Sequence, residues 1–598
     1  MRFPFDLALV CVPLLALTLT PGKGFGQECP QGQISYIFID NNSIFDLSEL
    51  DPDASFRWAY GLANKLHIRT REEFILDELL FQVGECLDPL LLEETERLLR
   101  AYRFIGDADV FAIPQPNGTQ HVNVYTQDEW TTKVDLGLRI DDGLKIEGLE
   151  ITEENFLGLG ILTRGFLKKD KEVQDLGFEI ETPRIFQTRW DTRMSFGSTR
   201  TGNFFEEAIT YPFVGEVGRV GARQSFLWRE TVFSYSTAGS PDHSHLLLPF
   251  LDQRWDVAVG RRFGRPGSLT LLGLGVSRES VEFRDFPSGL EYVVDKNFSS
   301  PILVDSAGAA EVAGQAQSRR ANRVNVFVGQ RNISFVERRG LDALRGVQDV
   351  GVGAEVFLGL GRAWGELQEG GGLSTDDLHA QASIFAGGVW DGWVMNSQLS
   401  VEGRHASAPA DEGAHWRDVF AEADLYLYWQ PAGDRFHTFL FRLSGAGGWS
   451  VETPFQLTLG GRTALRGHRE EDYPGAQRVV FTLEDRIYLP SPSPGLFDLG
   501  LAFFVDVGRM WAGEAPFGVY SDWIGTFGGG LRISLPPGTT NVLRIDLGLP
   551  LGKKTQLKDL ILRVNLRELL GILPGMRDRQ ILRSLRNGVR PTFVTSPW

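Results

Sequence analysis

The chain has 598 residues, of which 42% are hydrophobic, 11% are aromatic and three are cysteine. Its formal net charge of -17 excludes nucleic acid as a favourable partner, because two polyanions repel each other. The length exceeds that of one ordinary globular domain, so we expect one large domain and a small one.

The N-terminus has the pattern of a secretory signal peptide over residues 1–26. The apolar run from Leu7 to Leu19 is followed by the small-residue ending Gly24-Phe25-Gly26, with cleavage expected near Gln27. The alternative is an N-terminal membrane anchor, but the run is shorter than the about 20 residues that span a bilayer. We therefore expect an exported protein from which Cys11 is removed with the signal.

Cys29 and Cys86 are the cysteines left in the mature chain. Two cysteines in an exported protein can form a disulfide, but sequence does not prove the pairing, which stays open at this point. Beyond the signal we find no apolar run long enough for a transmembrane helix. Such a chain is secreted, periplasmic or an outer-membrane barrel.

Residues 55–130 are predicted to form a small α+β domain. The run AYGLANKLHIRT favours a strand, and Thr70 with Glu73 predicts a capping box for the helix that follows. A second helix is expected to begin at Asp88-Pro89, because proline is favoured in the first turn.

A hairpin closes this small domain. The turn Asn117-Gly118 lies between two alternating runs, which is a strong hairpin signal. The predicted order is strand, helix, helix, strand, strand, which other small α+β domains also share. Residues 27–54 precede the domain as an N-terminal extension that could lengthen its sheet.

Residues 131–570 show no convincing helical period, and alternation broken by turn residues predicts strands. In VLRIDLGLPL, apolar side chains oppose an arginine, an aspartate and a glycine. Strands of about ten residues with one apolar and one wet face are typical of a transmembrane barrel. A soluble sandwich or propeller would also alternate, but a sandwich domain is rarely this long, and no repeat of about 40 to 50 residues is visible.

Two longer polar stretches, Pro287–Asn322 and Glu366–Asp377, fit extracellular loops of such a barrel. One predicted strand breaks the alternation, because Asp485 falls on the outward face of VFTLEDRIYL. This aspartate is expected either near the membrane boundary or beside a bulge that shifts the register.

The segment from Leu457 to Trp511 places an arginine and two acidic residues close together in sequence. Arg466 lies in the glycine-flanked turn GGRTALRGH, while Glu484 and Asp506 lie on strand-like runs. A buried arginine needs a carboxylate partner. Because Asp506 lies opposite the more apolar face of its strand, we predict that a loop carrying Arg466 folds into the lumen and binds Asp506 there.

These motifs resemble the BamA/TamA-like superfamily of outer-membrane assembly and translocation barrels, the bacterial surface antigen proteins. The run from Asn64 to Phe111 resembles a polypeptide-transport-associated (POTRA) domain, GGRTALRGH resembles an arginine-bearing sixth loop, and EITEENFLGLG resembles the first barrel strand. The resemblance implies a mainly β fold, a transmembrane antiparallel barrel of about sixteen strands preceded by a POTRA-like domain. It also implies a lumen lock, which consists of Arg466, Gly467, Asp506 and Glu484.

Two features depart from the family pattern. His468 stands where an aromatic residue is usual, which puts aromatic packing at the loop tip in question. A basic tail, residues 571–598, follows the last predicted strand and is expected either to extend into the periplasm or to enter the lumen; Trp598 could supply the terminal aromatic residue. The arginines of this tail are Arg577, Arg579, Arg583, Arg586 and Arg590.

The sequence predicts no enzyme and no cofactor. It has no G-x-S-x-G elbow, no H-E-x-x-H helix and no P-loop. His243 and His245 have a spacing that could bind a metal, but we interpret them as solvated loop residues because no further ligands are near in sequence.

The resemblance implies a protein of the bacterial outer membrane with its POTRA-like domain in the periplasm. It would insert or export other proteins, and its partners would be outer-membrane lipids, unfolded client proteins and periplasmic accessory proteins. The client-binding residues are unknown; the edge of the POTRA sheet and the seam between the first and last barrel strands are the expected places. The alternatives are a dedicated two-partner-type secretion pore and a non-transporting surface barrel or antigen.

Overall fold

A computed structural model gives the structure of the protein. It describes residues 29–45, 57–140, 144–170, 173–185, 188–237, 244–284, 286–293, 301–364, 373–374, 377–406, 415–433, 437–461, 464–469, 471–490, 497–552, 556, 559–566, 579–582 and 584.

A three-stranded sheet and three helices make up the small N-terminal domain. Its elements are β1 (Ile34–Asn42), α1 (Arg57–Leu66), α2 (Glu72–Glu78), α3 (Pro89–Ala101), β2 (Ile105–Pro114) and β3 (Gln120–Asp128). The sheet order is β1-β3-β2, with β1 parallel and β2 antiparallel to β3. Helices α2 and α3 cover one face of this sheet, where Ile75, Leu99, Val122 and Val124 are fully buried.

Several predictions for this domain are confirmed and two are wrong. Asp88 caps α3 by accepting a hydrogen bond from Leu90 N, and β2 and β3 flank the Asn117-Gly118 turn. The run predicted as a strand forms α1 instead, because Tyr60 and Asn64 lie one helical turn apart and both contact Phe45.

Thr70 is not the helix cap that the sequence predicted. α2 begins at Glu72 after Arg71, and no side chain caps it. Thr70 is buried, and both its backbone N–H and its hydroxyl donate to the Asp128 carboxylate, at 2.7 and 2.8 Å. The first strand of the domain, which the sequence placed in this region, is instead β1, from the predicted N-terminal extension.

A closed antiparallel barrel contains most of the remaining described residues. Its wall contains twenty strands within the described residues. They are β4 (Thr132–Ile140), β5 (Leu144–Phe156), β6 (Ile161–Asp170), β7 (Val173–Thr182), β8 (Asp191–Ser198), β9 (Asn203–Tyr211), β10 (Val220–Ser236), β11 (His245–Arg265), β12 (Ser268–Glu282), β15 (Arg319–Arg338), β16 (Gln348–Ala363), β18 (Asp377–Trp390), β19 (Trp393–Ala406), β20 (His415–Trp429), β21 (His437–Trp449), β24 (Gln477–Leu489), β25 (Asp498–Trp511), β26 (Ile524–Ser534), β27 (Leu543–Leu551) and β28 (Ile561–Leu566).

Short elements decorate the loops between these wall strands. They are β13 (Glu291–Val293), β14 (Pro301–Leu303), α4 (Ser306–Ala313), β17 (Leu373–Ser374), β22 (Leu457–Thr458) and β23 (Pro474–Gly475), and α5 (Arg579–Leu582) follows the last wall strand. Among the described residues, no helix is long and apolar enough to cross a membrane.

The wall has more strands than the about sixteen that the sequence led us to expect. The arginine-bearing loop is therefore not the sixth but the eighth on its side, because two extra hairpins precede it. The run EITEENF also lies in the second wall strand, β5, since the first strand, β4, begins at Thr132. The figure of sixteen came from the resemblance, and alternating runs in the sequence do not distinguish extra strands from interrupted ones.

Alternation along the wall strands is confirmed. On β25, Phe503 and Val505 are exposed on the outside, while Ala502, Phe504 and Asp506 are buried on the lumen side. Asp485 lies on the outer face of β24 without a register shift, and it contacts His437 Nδ1 at 3.0 Å. Of the two explanations that the sequence left open, the bulge is therefore excluded.

Tryptophans border the apolar outer face at both ends of the barrel. Trp390 and Trp429 are partly exposed at the end near the N-terminal domain, and Trp416 and Trp449 are partly exposed at the other end. Along β20, Trp416 and Trp429 are separated by a span of about 43 Å, or about 33 Å across a tilted wall, at ~3.3 Å per residue and a tilt of ~40°. This spacing fits an apolar band with aromatic girdles at two membrane interfaces.

The N-terminal domain contacts turns around one mouth of the barrel, which we call the proximal mouth. Arg100 of α3 binds Asp349 and Glu337 at 3.0 and 2.7 Å. On other turns, Asn541 donates to Glu129. Because contacts to turns on different sides of the ring fix the domain, it lies across this mouth.

The described part of the polar stretch at residues 287–322 forms β13, β14, α4 and the start of β15. α4 packs on inward residues of β10 to β12, including Tyr235 and Leu246. This loop therefore covers part of the other end, the distal mouth. The stretch at 366–377 lies largely outside the described residues.

Candidate functional site

The described part of residues 450–476, between β21 and β24, folds into the barrel and is called the lumen loop here. The pairing of β22 with β23 closes it into a hairpin-like unit. The apolar side chains of the loop pack on inward wall residues such as Phe420 and Met510. These loop residues are Phe455, Leu457, Leu459, Ala464 and Leu465. Burial of these side chains holds the loop in the lumen rather than in solvent.

Arg466, at the tip of the lumen loop, lies between two wall carboxylates. Its Nε and Nη2 donate to Asp506 Oδ2 and Oδ1 at 2.9 and 2.8 Å, and its Nη1 donates to Glu484 Oε2 at 2.6 Å. The guanidinium also lies 3.4 Å from the centre of the Phe504 ring. The fork of Arg466 is thus matched by a bidentate carboxylate, a second carboxylate and an aromatic face.

The two carboxylates differ in what else they bind. Asp506 also accepts a hydrogen bond from the Thr482 hydroxyl at 2.9 Å. Glu484 accepts from Arg486 Nε at 2.9 Å and faces Arg532 Nη2 at 3.5 Å. Glu484 is therefore shared with the wall, whereas Asp506 depends on the loop for its arginine.

Gly467 lets the loop tip touch the wall backbone. A Cβ on Gly467 would meet Thr526 Cγ2 at 2.6 Å and the carbonyl carbon of Leu549 at 3.0 Å. Facing it, a Cβ on Gly548 of β27 would lie 2.8 Å from Gly467 Cα. The close approach of two backbones requires glycine at both positions.

His468 makes one aromatic contact at the loop tip. Its ring meets Tyr473 edge-on at 5.8 Å, and Nε2 lies 3.3 Å from the carbonyl oxygen of Gly525 on β26. The carbonyl oxygens of Arg466 and His468 accept hydrogen bonds from Arg563 on β28, at 2.9 and 2.5 Å. Sequence reasoning did not single out Arg563, which looked like an ordinary lumen-facing residue.

A second cluster of buried charges lies at the base of the lumen loop and was also missed from the sequence. Arg323 binds Asp377 and Glu279 at 3.0 and 2.8 Å. Arg404 bridges Asp377 at 3.0 Å to Asp418 at 2.7 Å. We call this group the base cluster; it also contains Arg319 and Glu452.

The base cluster joins the wall to the start of the loop. Glu452 is its loop residue and accepts from Arg404 at 3.1 Å and from Arg319 at 2.6 Å. The backbone N–H of Glu452 donates to Asp418 at 2.7 Å. The base of the lumen loop is therefore fixed to a different set of strands, β15, β19 and β20, from the strands β24 and β25 that bind the arginine at its tip.

The structure places part of the basic tail against the lumen loop. Gln580 of α5 accepts from Thr458 N at 2.9 Å and from Arg478 Nη1 at 3.0 Å. Ile581 joins the apolar cluster of the loop, and the Ser584 hydroxyl donates to Pro454 O at 2.5 Å. For these residues the structure favours lumen entry over a periplasmic extension, while Arg577, Arg583, Arg586, Arg590 and Trp598 lie outside the described residues.

The remaining predicted sites are placed as follows. Cys29 and Cys86 form a disulfide that joins the chain before β1 to the segment before α3. His243 lies outside the described residues. His245 is buried at the start of β11 and its Nδ1 lies 2.9 Å from the Ser244 hydroxyl, so the expectation of a solvated loop residue is wrong for it.

The chemistry of the site is ionic and conformational. Among the residues that the structure describes, no group of three His, Cys, Asp or Glu side chains could hold a metal ion. The arrangement can hold a loop in two ways, by charge at its tip and by charge and packing at its base. Removing one partner of a well-buried ion pair costs roughly 3–5 kcal/mol, and less where water reaches the pair.

No family model and no curated protein matches this chain. Among solved structures, BamA from Haemophilus ducreyi lacking POTRA domains 1-3 is 13% identical with a TM-score of 0.36, over 90% of this chain and 84% of that one. CdiB from Escherichia coli is 12% identical with a TM-score of 0.40, over 92% of both chains. CdiB from Acinetobacter baumannii is 12% identical with a TM-score of 0.39, over 90% of this chain and 73% of that one.

Proposed function

We propose that this chain is a BamA/TamA-like outer-membrane barrel that inserts or translocates other proteins. The observation that carries the proposal is the loop arginine Arg466, which lies inside a closed barrel between Asp506 and Glu484. A loop that is held in the lumen by a reversible ionic contact can occlude a path and also release it.

The N-terminal domain supports this proposal. Its sheet has two edge strands, β1 and β2, because both pair with β3 alone among the described strands. An unfolded client protein can add a strand to such an edge through main-chain hydrogen bonds. The proposal places this POTRA-like domain in the periplasm, at the mouth where a client would enter.

The proposal includes the outer membrane as the location. The exposed apolar band with tryptophans at both ends would face outer-membrane lipid, and periplasmic accessory proteins would meet the N-terminal domain. It includes no enzymatic step and no cofactor.

Depletion of the protein, followed by quantitative proteomics of the outer membrane and the medium, tests the function. Loss of many outer-membrane proteins is the result expected for insertion, and loss of one secreted protein is the result expected for a dedicated secretion pore. If neither fraction changes, the proposal fails and a non-transporting surface barrel is the better reading.

Complementation connects this test to the site. We expect Asp506→Asn to restore the depleted proteins poorly, because it removes the charge that binds Arg466. The matched control is Asp424→Asn, which alters a lumen-side carboxylate on β20 bound to Arg442 at 2.8 Å, away from the loop tip. If both variants restore the depleted proteins equally well, the contact between Arg466 and Asp506 is not required for the function.

A further inference from the structure

A cavity of about 570 Å³ lies on the outer face of the wall at the distal end of the barrel. Part of its floor consists of Leu167 and Leu176, which are directly opposed on β6 and β7. β6 begins at a turn where Leu157 O accepts a hydrogen bond from Arg71 of the N-terminal domain, so the other end of β6 is distal. The cavity has the size of a ligand site, for which ~300–1,000 Å³ is typical.

The cavity exists because neighbouring strands end at different levels. The ladder between β9 and β10 ends at Phe204 and Arg229, whereas β10 and β11 stay paired beyond that point. The turn between β8 and β9 therefore lies beside a taller hairpin. Val232 and Leu247 of this hairpin complete the apolar floor, on the face opposite to the lumen residues that α4 covers.

The rim of the cavity is polar and is held from two sides. On the turn between β8 and β9, the Thr199 hydroxyl donates to the carbonyl oxygen of Glu230 on β10 at 2.6 Å. Arg200 of the same turn binds Glu291 of β13 at 3.0 Å. The two other hydroxyl groups of the lining belong to Ser198 and Thr201. The rim thus combines a guanidinium, a carboxylate and three hydroxyl groups.

The floor of the cavity continues into the apolar outer face of the wall. Leu176 is 59% exposed, and two residues along β7 the exposed Phe178 meets Phe196 of β8 at 5.9 Å. An alkyl chain in the surrounding apolar phase can therefore reach the floor while its headgroup stays at the rim.

We propose that this cavity binds an amphiphile with an alkyl chain and an uncharged polyhydroxyl headgroup, as in a neutral glycolipid. Arg200 and Glu291 offset each other, so the pair gives a phosphate group little net attraction. Neighbouring hydroxyl groups of a sugar suit the pair, because one donates to the carboxylate while another accepts from the guanidinium. This binding requires only the folded barrel and is independent of insertion or export.

Native mass spectrometry of the purified full-length protein tests the proposal. The protein is kept in an oligo-oxyethylene detergent, which has no sugar headgroup, and is titrated with monoglucosyl diacylglycerol. Phosphatidylglycerol and diacylglycerol with the same acyl chains are the comparison lipids. We expect one molecule of the glucosyl lipid to bind saturably, at least about tenfold tighter than either comparison lipid, since hydrogen bonds to charged groups distinguish the headgroups.

Variants of the rim show which groups recognise the headgroup. Arg200→Gln and Glu291→Gln are each expected to weaken binding of the glucosyl lipid about tenfold and to leave binding of diacylglycerol unchanged. Glu291→Gln also removes the charge that offsets Arg200, so it should strengthen binding of phosphatidylglycerol. Arg320→Gln is the matched control, because Arg320 binds Glu282 at 2.9 Å at the distal end without lining the cavity.

Several outcomes would overturn the proposal. Tighter binding of phosphatidylglycerol by the wild type would identify a phosphate site, and equal binding of diacylglycerol would identify an apolar groove alone. The absence of saturable binding, or an equal loss in Arg320→Gln and Arg200→Gln, would overturn it as well. Heat-modifiable migration on a gel shows that each variant is folded, and the comparison of lipids on the wild type needs no variant. No client protein is present, so these results do not depend on the depletion experiment.

Discussion

The tip and the base of the lumen loop are both held by buried charges, but the two sites are built differently. At the tip, the loop supplies the arginine, and the wall supplies Asp506 and Glu484. At the base, the wall supplies all three arginines and most of the carboxylates, and the loop adds Glu452. The base cluster can therefore persist without the loop, while the tip cluster exists only when the loop is in the lumen.

The base cluster is therefore a fixed part of the barrel, and the tip of the lumen loop is a part that can move. Wall charges that neutralise one another stabilise the barrel whatever the loop does. Asp506, in contrast, is buried and would lose its arginine when the tip leaves, so the lumen position of the loop is favoured by the cost of an unpaired charge.

The largest effect is expected at the base cluster. Arg323→Ala would leave Glu279 and Asp377 with fewer partners in a fully buried place and is expected to cost about 3–5 kcal/mol of barrel stability. The measurement is the temperature at which heat-modifiable migration on a gel is lost. Arg284→Ala, at an exposed arginine, is the control, and equal heat resistance of the two variants would show that the base cluster does not stabilise the barrel.

An intermediate effect is expected for Gly467→Ala. The added methyl group would collide with Thr526 Cγ2 on β26 at 2.6 Å and crowd the backbone of β27, so the tip is displaced although no charge is removed. We expect faster trypsin cleavage at Arg469 with a smaller loss of heat resistance than in Arg323→Ala. Gly445→Ala, where a Cβ meets no atom closer than 3.9 Å, serves as the control. Unchanged cleavage in Gly467→Ala would show that the tip does not touch the wall.

A smaller effect is expected for Gln580→Ala in the basic tail. It removes hydrogen bonds to Thr458 and Arg478, each worth roughly 0.5–1.5 kcal/mol net. The lumen loop should become modestly more sensitive to trypsin, without loss of the tip contacts. Gln477→Ala, at a glutamine that binds Gly448 O on the wall, is the matched change. If the two variants are cleaved at the same rate, the tail does not support the loop.

The smallest effect is a pH dependence in the N-terminal domain. Burial raises the pKa of Glu78, while Arg184 and Arg189 oppose the rise. The stabilisation from protonated Glu78 is thus present below its ordinary pKa and is lost as pH rises through the raised value. Compared with Glu78→Gln, the wild-type domain should lose thermal stability with rising pH in this window. Glu73→Gln, on the exposed side of α2, should keep the wild-type slope; a flat wild-type profile would contradict the assignment.

The feature that the sequence predicted best is the face of a wall strand on which each side chain lies, because this depends on the two-residue period of a strand. Because one face of each wall strand meets the apolar surroundings, side chains such as Phe503 and Asp506 could be assigned to opposite faces without coordinates. The number of strands was not predictable in this way, because alternating runs do not mark where a wall strand ends. α1 was missed because it buries few residues, so its apolar side chains do not follow a helical period. In the sequence, Leu62 fits an alternating pattern, and in the structure it is exposed.

In the candidate site too, residues with a local sequence signal were predicted and residues without one were missed. Arg466 and Asp506 were found because each has a local signal, a glycine-flanked turn and an acidic residue in an apolar strand. The base cluster joins strands and a loop from Glu279 to Glu452, and each member alone looks like an ordinary lumen residue. Arg563 was missed for that reason too, since its acceptors are backbone carbonyls.

A double-mutant cycle between Arg466→Ala and Asp506→Ala tests the central claim most directly. The free energy of unfolding in detergent would be measured for the wild type, both single variants and the double variant. If the loop tip is held by this pair, the two losses should be non-additive by at least about 1 kcal/mol, and Arg466→Ala alone should lower heat resistance on a gel. Additive losses, together with unchanged heat-modifiable migration of Arg466→Ala, would contradict a lumen loop held by Asp506.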